Sequence, residues 1–172
     1  MTRWSVPGVL LVAFLAGGCA SDPTRGYAPV SPFPAGISTV AVEIFDNSAF
    51  ERNLEFELAD ALIKEIEART PYKVTSVDRS DTILTGRIRN VRRVQLSKSP
   101  LTGLSEEVTL SVTIDLQWSN LRTGEPLLQL QSFTGHSLFV PSRPTGEPIE
   151  LGEFAVVQRL ARDIVGQMRA DW

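Results

Sequence analysis

The chain has 172 residues, 42% of them hydrophobic and 22% charged, which fits one ordinary globular domain and excludes a disordered chain or a polytopic membrane protein. Its 17 basic and 20 acidic residues leave a net charge of −3, the wrong sign for a protein that reads phosphate backbones, so no nucleic-acid partner is expected. A single cysteine and a single histidine exclude an internal disulfide and a Cys/His zinc site, and no metal or cofactor is expected.

The first element is an export signal. Arg3 precedes VPGVLLVAFLAGG, a charge-free run of 13 residues from Val6 to Gly18. A spanning helix needs about 20 apolar residues, whereas a signal core needs only about 7–15 followed by small residues. Leu15-Ala16-Gly17-Gly18-Cys19 resembles a bacterial lipobox, although Ala16 stands where the strongest form has leucine. Residues 1–18 are therefore expected to be removed and the Cys19 sulfur acylated, with palmitate-type chains anchoring the protein to a membrane. The residue after the cysteine is Ala20 rather than aspartate, which in Gram-negative sorting favours the outer membrane, periplasmic face. Residues 19–36 carry Pro23, Pro29, Pro32 and Pro34 and read as a semi-rigid linker, able to reach about 50 Å at about 3.1 Å per residue.

The domain proper, 37–172, opens with the β-branched run Ile37 to Phe45, a buried strand. Ser48 and Glu51 have the spacing of a capping box. Leu54, Leu58, Leu62 and Ile66 then recur every four residues, the stripe of an amphipathic helix that Thr70-Pro71 ends. Tyr72 to Val77 is a short strand candidate. Three longer strands follow: Thr82 to Leu96, Glu106 to Trp118 and Pro126 to Phe133. In the second of these Val108, Leu110, Val112, Ile114, Leu116 and Trp118 alternate with polar residues, so one face meets a core and the other a polar surrounding. Phe139 to Pro148 reads as a loop. A last helix runs from Leu151 to Met168, with Leu151, Phe154 and Ala155 included in its apolar face. The predicted fold is α+β: two amphipathic helices packed on one face of a mostly antiparallel four-stranded sheet, in the order strand, helix, strand meander, helix.

These residues resemble a family. ISTVAVEIFDN, LEFELADALIKEIEARTPYKV, DTILTGRI and EEVTLSVTIDLQW with LRTGEPL are similar to the lipopolysaccharide-assembly lipoprotein LptE family, across nearly all of the mature domain. The resemblance implies an outer-membrane lipoprotein of the cell-envelope assembly machinery, plugging an LptD-like β-barrel, assisting its assembly and helping lipopolysaccharide transport to the outer leaflet. It also implies no catalytic residues.

The basic residues of the Thr82 to Leu96 strand are the binding candidates. Arg87, Arg89 and Arg93 share one parity, opposite to Leu84, Ile88 and Val94, and guanidinium groups take phosphate bidentately. A turn centred near Leu101 sets Arg87 opposite Asp115, Arg89 opposite Thr113 and Arg93 opposite Thr109. All three are expected on one face as lipopolysaccharide contacts, or else as an ordinary solvated sheet face. Enzyme chemistry finds little support. His136 has Ser132, Ser137 and Ser142 near it in sequence but no G-x-S-x-G elbow, and Glu106 and Glu107 point to opposite sides of their strand. The rival reading is a lipid-anchored interaction module of another envelope machine, a peptidoglycan-synthase activator or a secretion lipoprotein.

Overall fold

The computed structural model describes residues 31–169 apart from 99, 102, 104 and 141–147. The expected signal segment, Cys19, most of the linker and Ser142 lie outside the described residues.

The chain enters the sheet at β1, Thr39–Val42, and touches it again at β2, Asp46–Asn47. The helix α1, Leu54–Arg69, leads to the short β3, Lys73–Val74, and a 3-10 turn at Val77–Arg79. Three long strands follow, β4 at Thr82–Lys98, β5 at Ser105–Asn120 and β6 at Pro126–Phe139. The helix α2, Ile149–Gln167, completes the domain. The fold class is α+β with two helices, but the sheet has six strands rather than four and is mixed. Its order is β3-β1-β4-β5-β6, with β2 beside β4. β1 runs parallel to both β3 and β4, and β2 is parallel to β4. Only the β4-β5-β6 meander is antiparallel. The parallel half follows from the helix between β1 and β3, since parallel neighbours need a crossover that a tight hairpin cannot supply.

The run expected as one strand from Ile37 to Phe45 is broken for a packing reason. After Val42 the backbone stays close to β4, with Glu43 N–H donating to Leu84 O at 3.0 Å and Ser48 N–H to Ile88 O at 3.0 Å. Between these bonds the chain turns the Phe45 ring into the core, where it is 2% exposed. The ring lies on Gly86: a Cβ there would fall 2.3 Å from Phe45 Cε1 and 2.7 Å from Asp115 O. Glycine is therefore required at 86 by close approach, because neither a packed ring nor a strand carbonyl can yield that distance.

Both helices cover the same face. Leu54, Leu58, Leu62 and Ile66 of α1, Val156, Leu160 and Ile164 of α2, and Met168 just after it, meet Leu84, Ile88, Leu110, Val112, Ile114 and Trp118 in one buried cluster. The alternation expected in β5 is seen directly, with each of its apolar residues from Leu110 to Trp118 at most 2% exposed. At the start of α2 the stripe outruns its cover. Leu151 and Phe154 are more than half exposed and Ala155 is also exposed, so those three do not belong to the core face as expected. The capping box is absent too. Asn53, in the left-handed region at φ 71°, precedes α1 without a side-chain cap bond, and Asn47 organises the entry instead, donating from Nδ2 to Glu51 O at 2.7 Å and Glu55 Oε2 at 2.6 Å. The other end stops as the Thr70-Pro71 pair requires: Thr70 is extended, and its hydroxyl donates to Ile66 O at 2.7 Å.

Candidate functional site

The face of the sheet away from the helices carries the polar half of the alternation. Polar rungs cross it between β5 and β6. Thr113 and Thr134 share a hydroxyl–hydroxyl bond of 2.9 Å, and Ser111 Oγ meets His136 Nδ1 at 2.9 Å. The serine beside His136 is thus Ser111, one strand away, rather than Ser132 or Ser137. Among the described residues no carboxylate bonds the other ring nitrogen of His136.

Asp115 is the centre of this face. On one side β5 pairs with β4, where Arg87 stands directly opposite Asp115, as the turn arithmetic expects. Ile88 then pairs with Ile114 and Asn90 with Thr113, so Arg89 is an extra, bulged residue. On the other side Ile114 pairs with Phe133 and Leu116 with Leu130, leaving Gln131 and Ser132 together opposite Asp115. Ser132 takes a positive φ of 53° to make that second bulge. Two bulges thus flank one carboxylate, a device that bends strands and re-aims side chains.

The side chains gathered there balance in charge. Asp115 Oδ2 accepts from Arg89 Nε, and Asp115 Oδ1 accepts the Ser132 N–H at 2.9 Å. Arg87 pairs with Asp46 at 3.1 Å. The Ser132 amide and then the Arg89 guanidinium hold the Asp115 carboxyl below the usual aspartate range, more than offsetting its partial desolvation. The bent strands enclose an open hollow of about 390 Å³, bordered by these four charged side chains and by Thr85, Gln117, Gln129 and Gln131.

Arg93 is elsewhere. The bulge at Arg89 shifts the strand's parity, so Arg93 pairs with the inward-facing Leu110, and Val94 rather than Arg93 stands opposite Thr109. The expected single face of three arginines is therefore corrected: Arg87 and Arg89 share the outer face, and Arg93 lies on the helix side. There it contacts Glu51 ahead of α1, and Glu153 of α2 at 3.6 Å. Burial raises the Glu153 carboxyl, Arg93 opposes that rise, and Glu51, Glu57 and Glu150 add to it. This cluster fastens the starts of both helices to the projecting end of β4. Asp46, Gln117, Gln129 and Gln131 border the hollow without having been among the sequence candidates. The regular Gln-x-Gln spacing of 129 and 131 carried a signal, whereas the Ser132 bulge that brings them to Asp115 had none.

A family model described as LptE, lipopolysaccharide-assembly, matches residues 37–172. The chain belongs to the LptE family. Membership agrees with the family resemblance seen in the sequence. No curated protein matches the chain. Among solved structures, a protein of Xanthomonas campestris is similar at TM-score 0.55 and 10% identity, covering 82% of this chain and 88% of its own. The PelC dodecamer subunit of Paraburkholderia phytofirmans is similar at TM-score 0.51 and 16% identity, over 81% of this chain and 95% of its own. A minor lipoprotein of Acinetobacter baumannii gives TM-score 0.51 and 16% identity, over 77% and 92%. At these identities the likeness concerns the fold alone. Among the described residues no helix is long and apolar enough to cross a membrane.

Proposed function

We propose that the chain is an outer-membrane lipoprotein, anchored through an acylated Cys19 on the periplasmic face, that plugs an LptD-like β-barrel, assists its assembly and helps deliver lipopolysaccharide to the outer leaflet. The observation that carries this reading is the family match over the whole of 37–172. The architecture is compatible with it. One sheet face is sealed by two helices, and the other carries the polar residues of β5 and the hollow at Asp115 beside an exposed apolar rung, Val94 and Leu138 flanking Thr109; its polar part suits a plug whose exposed side meets a hydrated lumen and a polar glycolipid. Arg87 and Arg89, on that polar face, are the proposed lipopolysaccharide contacts. Arg93, held by Glu51 and Glu153 on the opposite side, would have to reach the glycolipid from the helix side. Catalysis has no part in the proposal. Depleting the chain from cells should lower the folded, heat-resistant form of the barrel and the amount of lipopolysaccharide at the surface together. Unchanged barrel folding and surface lipopolysaccharide after depletion would contradict the reading.

A further inference from the structure

The hollow around Asp115 has a composition that selects among ligand chemistries. Each of its two guanidinium groups already faces a carboxylate, Arg87 with Asp46 and Arg89 with Asp115. A phosphate entering there meets two negative charges along with two positive ones, so its attraction largely cancels. A neutral polyol meets no such penalty. Its hydroxyls both donate and accept, and the border offers acceptors on the aspartates, donors on the arginines and both on Gln117 and Gln129, which stand opposite one another on β5 and β6; one Gln117 amide hydrogen is donated to Ser119 Oγ at 2.9 Å, which leaves the other. The pairs are open to water, with the Arg87 and Arg89 side chains 58% and 57% exposed, so inserting a hydroxyl between them disrupts little that is strongly held. The space of about 390 Å³ lies in the range of small-molecule sites. The positive φ of Ser132 is a local strain maintained where the strand bends to make this space.

We propose that this hollow is a saccharide subsite, binding uncharged sugar hydroxyls of the lipopolysaccharide core rather than its phosphates, with Asp115, Gln117 and Gln129 as the recognising groups. The proposal rests on the glycolipid reading above and adds which part of the glycolipid the face receives.

The test uses the full chain purified in mild detergent and, as probe, core oligosaccharide freed from lipopolysaccharide, deacylated and dephosphorylated, titrated by calorimetry. The wild type should bind it, and inorganic pyrophosphate at equal concentration should not displace it. Gln117→Ala with Gln129→Ala, both at exposed positions, should weaken binding about thirtyfold, as expected when two hydrogen bonds of about 1 kcal/mol are lost. Asp115→Asn, which keeps an oxygen for the Ser132 amide, should weaken it as well. Equal binding by the double glutamine variant, or efficient displacement by pyrophosphate, would overturn the saccharide assignment. Intact lipopolysaccharide separates the two levels: if it binds and the dephosphorylated oligosaccharide does not, only the saccharide assignment fails, whereas if neither binds, the glycolipid reading fails with it.

Discussion

Asp81 joins three parts of the sheet through one side chain and its backbone. Its Oδ2 accepts the Ser38 and Thr39 amides at 3.0 and 3.1 Å and the Thr39 hydroxyl at 3.0 Å, while its own N–H donates to Thr39 Oγ1 at 2.8 Å. Its carbonyl takes the Leu121 N–H at 2.9 Å, beyond the end of β5. The Ser38 and Thr39 donors, with a smaller contribution from Arg122, hold the carboxyl below the usual aspartate range. A carboxyl that titrates lower when folded adds stability above its unfolded value, about 3.9, and loses it as pH falls through the folded value. The stability gap between wild type and Asp81→Asn should therefore be constant from neutral pH down to about 5 and shrink as acid is added below about 4. Urea melts across that range read it directly. A gap of the same size in acid as at neutral pH would show that the carboxylate does not hold β1 to β4.

At the scale of elements, β5 carries the core, and its two faces should respond differently to truncation. Ile114 is fully buried, so Ile114→Ala should destabilise the chain by about 2–5 kcal/mol. Thr113 contributes one partly exposed hydroxyl bond to Thr134, and Thr113→Ala should cost about 1 kcal/mol or less. Equal shifts in urea melts would contradict the assignment of faces. The same strand shows what could be read in advance. Its strict alternation has one periodic solution, as do the four-residue stripe of α1 and the spacing of Leu160, Ile164 and Met168 at the end of the chain, so these elements were legible from residues alone, although the buried Val156 was not on the expected face. β1, β2 and β3 have two to four residues each, too few for any period, and their parallel pairing depends on the path of α1 rather than on local sequence. The bulge at Arg89 explains the misplaced Arg93. One extra residue reverses every later side chain, and the only sign of it in the sequence is that Leu84 and Ile88 are even-numbered while the next apolar residue, Val91, is odd.

In the whole molecule a folded family domain is expected to hang from a lipid anchor. Cys19→Ser should abolish metabolic labelling with palmitate and release the protein from the membrane fraction. Labelled, membrane-bound Cys19→Ser protein would contradict the anchor. The site followed a similar division between what residue types and what geometry reveal. Arg87 and Arg89 were visible as cations on one strand, but the hollow they border is made by two bulges meeting at Asp115, and no single segment encodes that meeting. The domain is proposed to work within an outer-membrane barrel, and affinity isolation of the tagged, full-length chain in mild detergent decides whether it does. A large β-barrel should be recovered in near-equal amount with the chain, and equally with the Gln117→Ala, Gln129→Ala variant. A peptidoglycan synthase or a secretion channel recovered in its place, with no barrel of the lipopolysaccharide pathway, would contradict it.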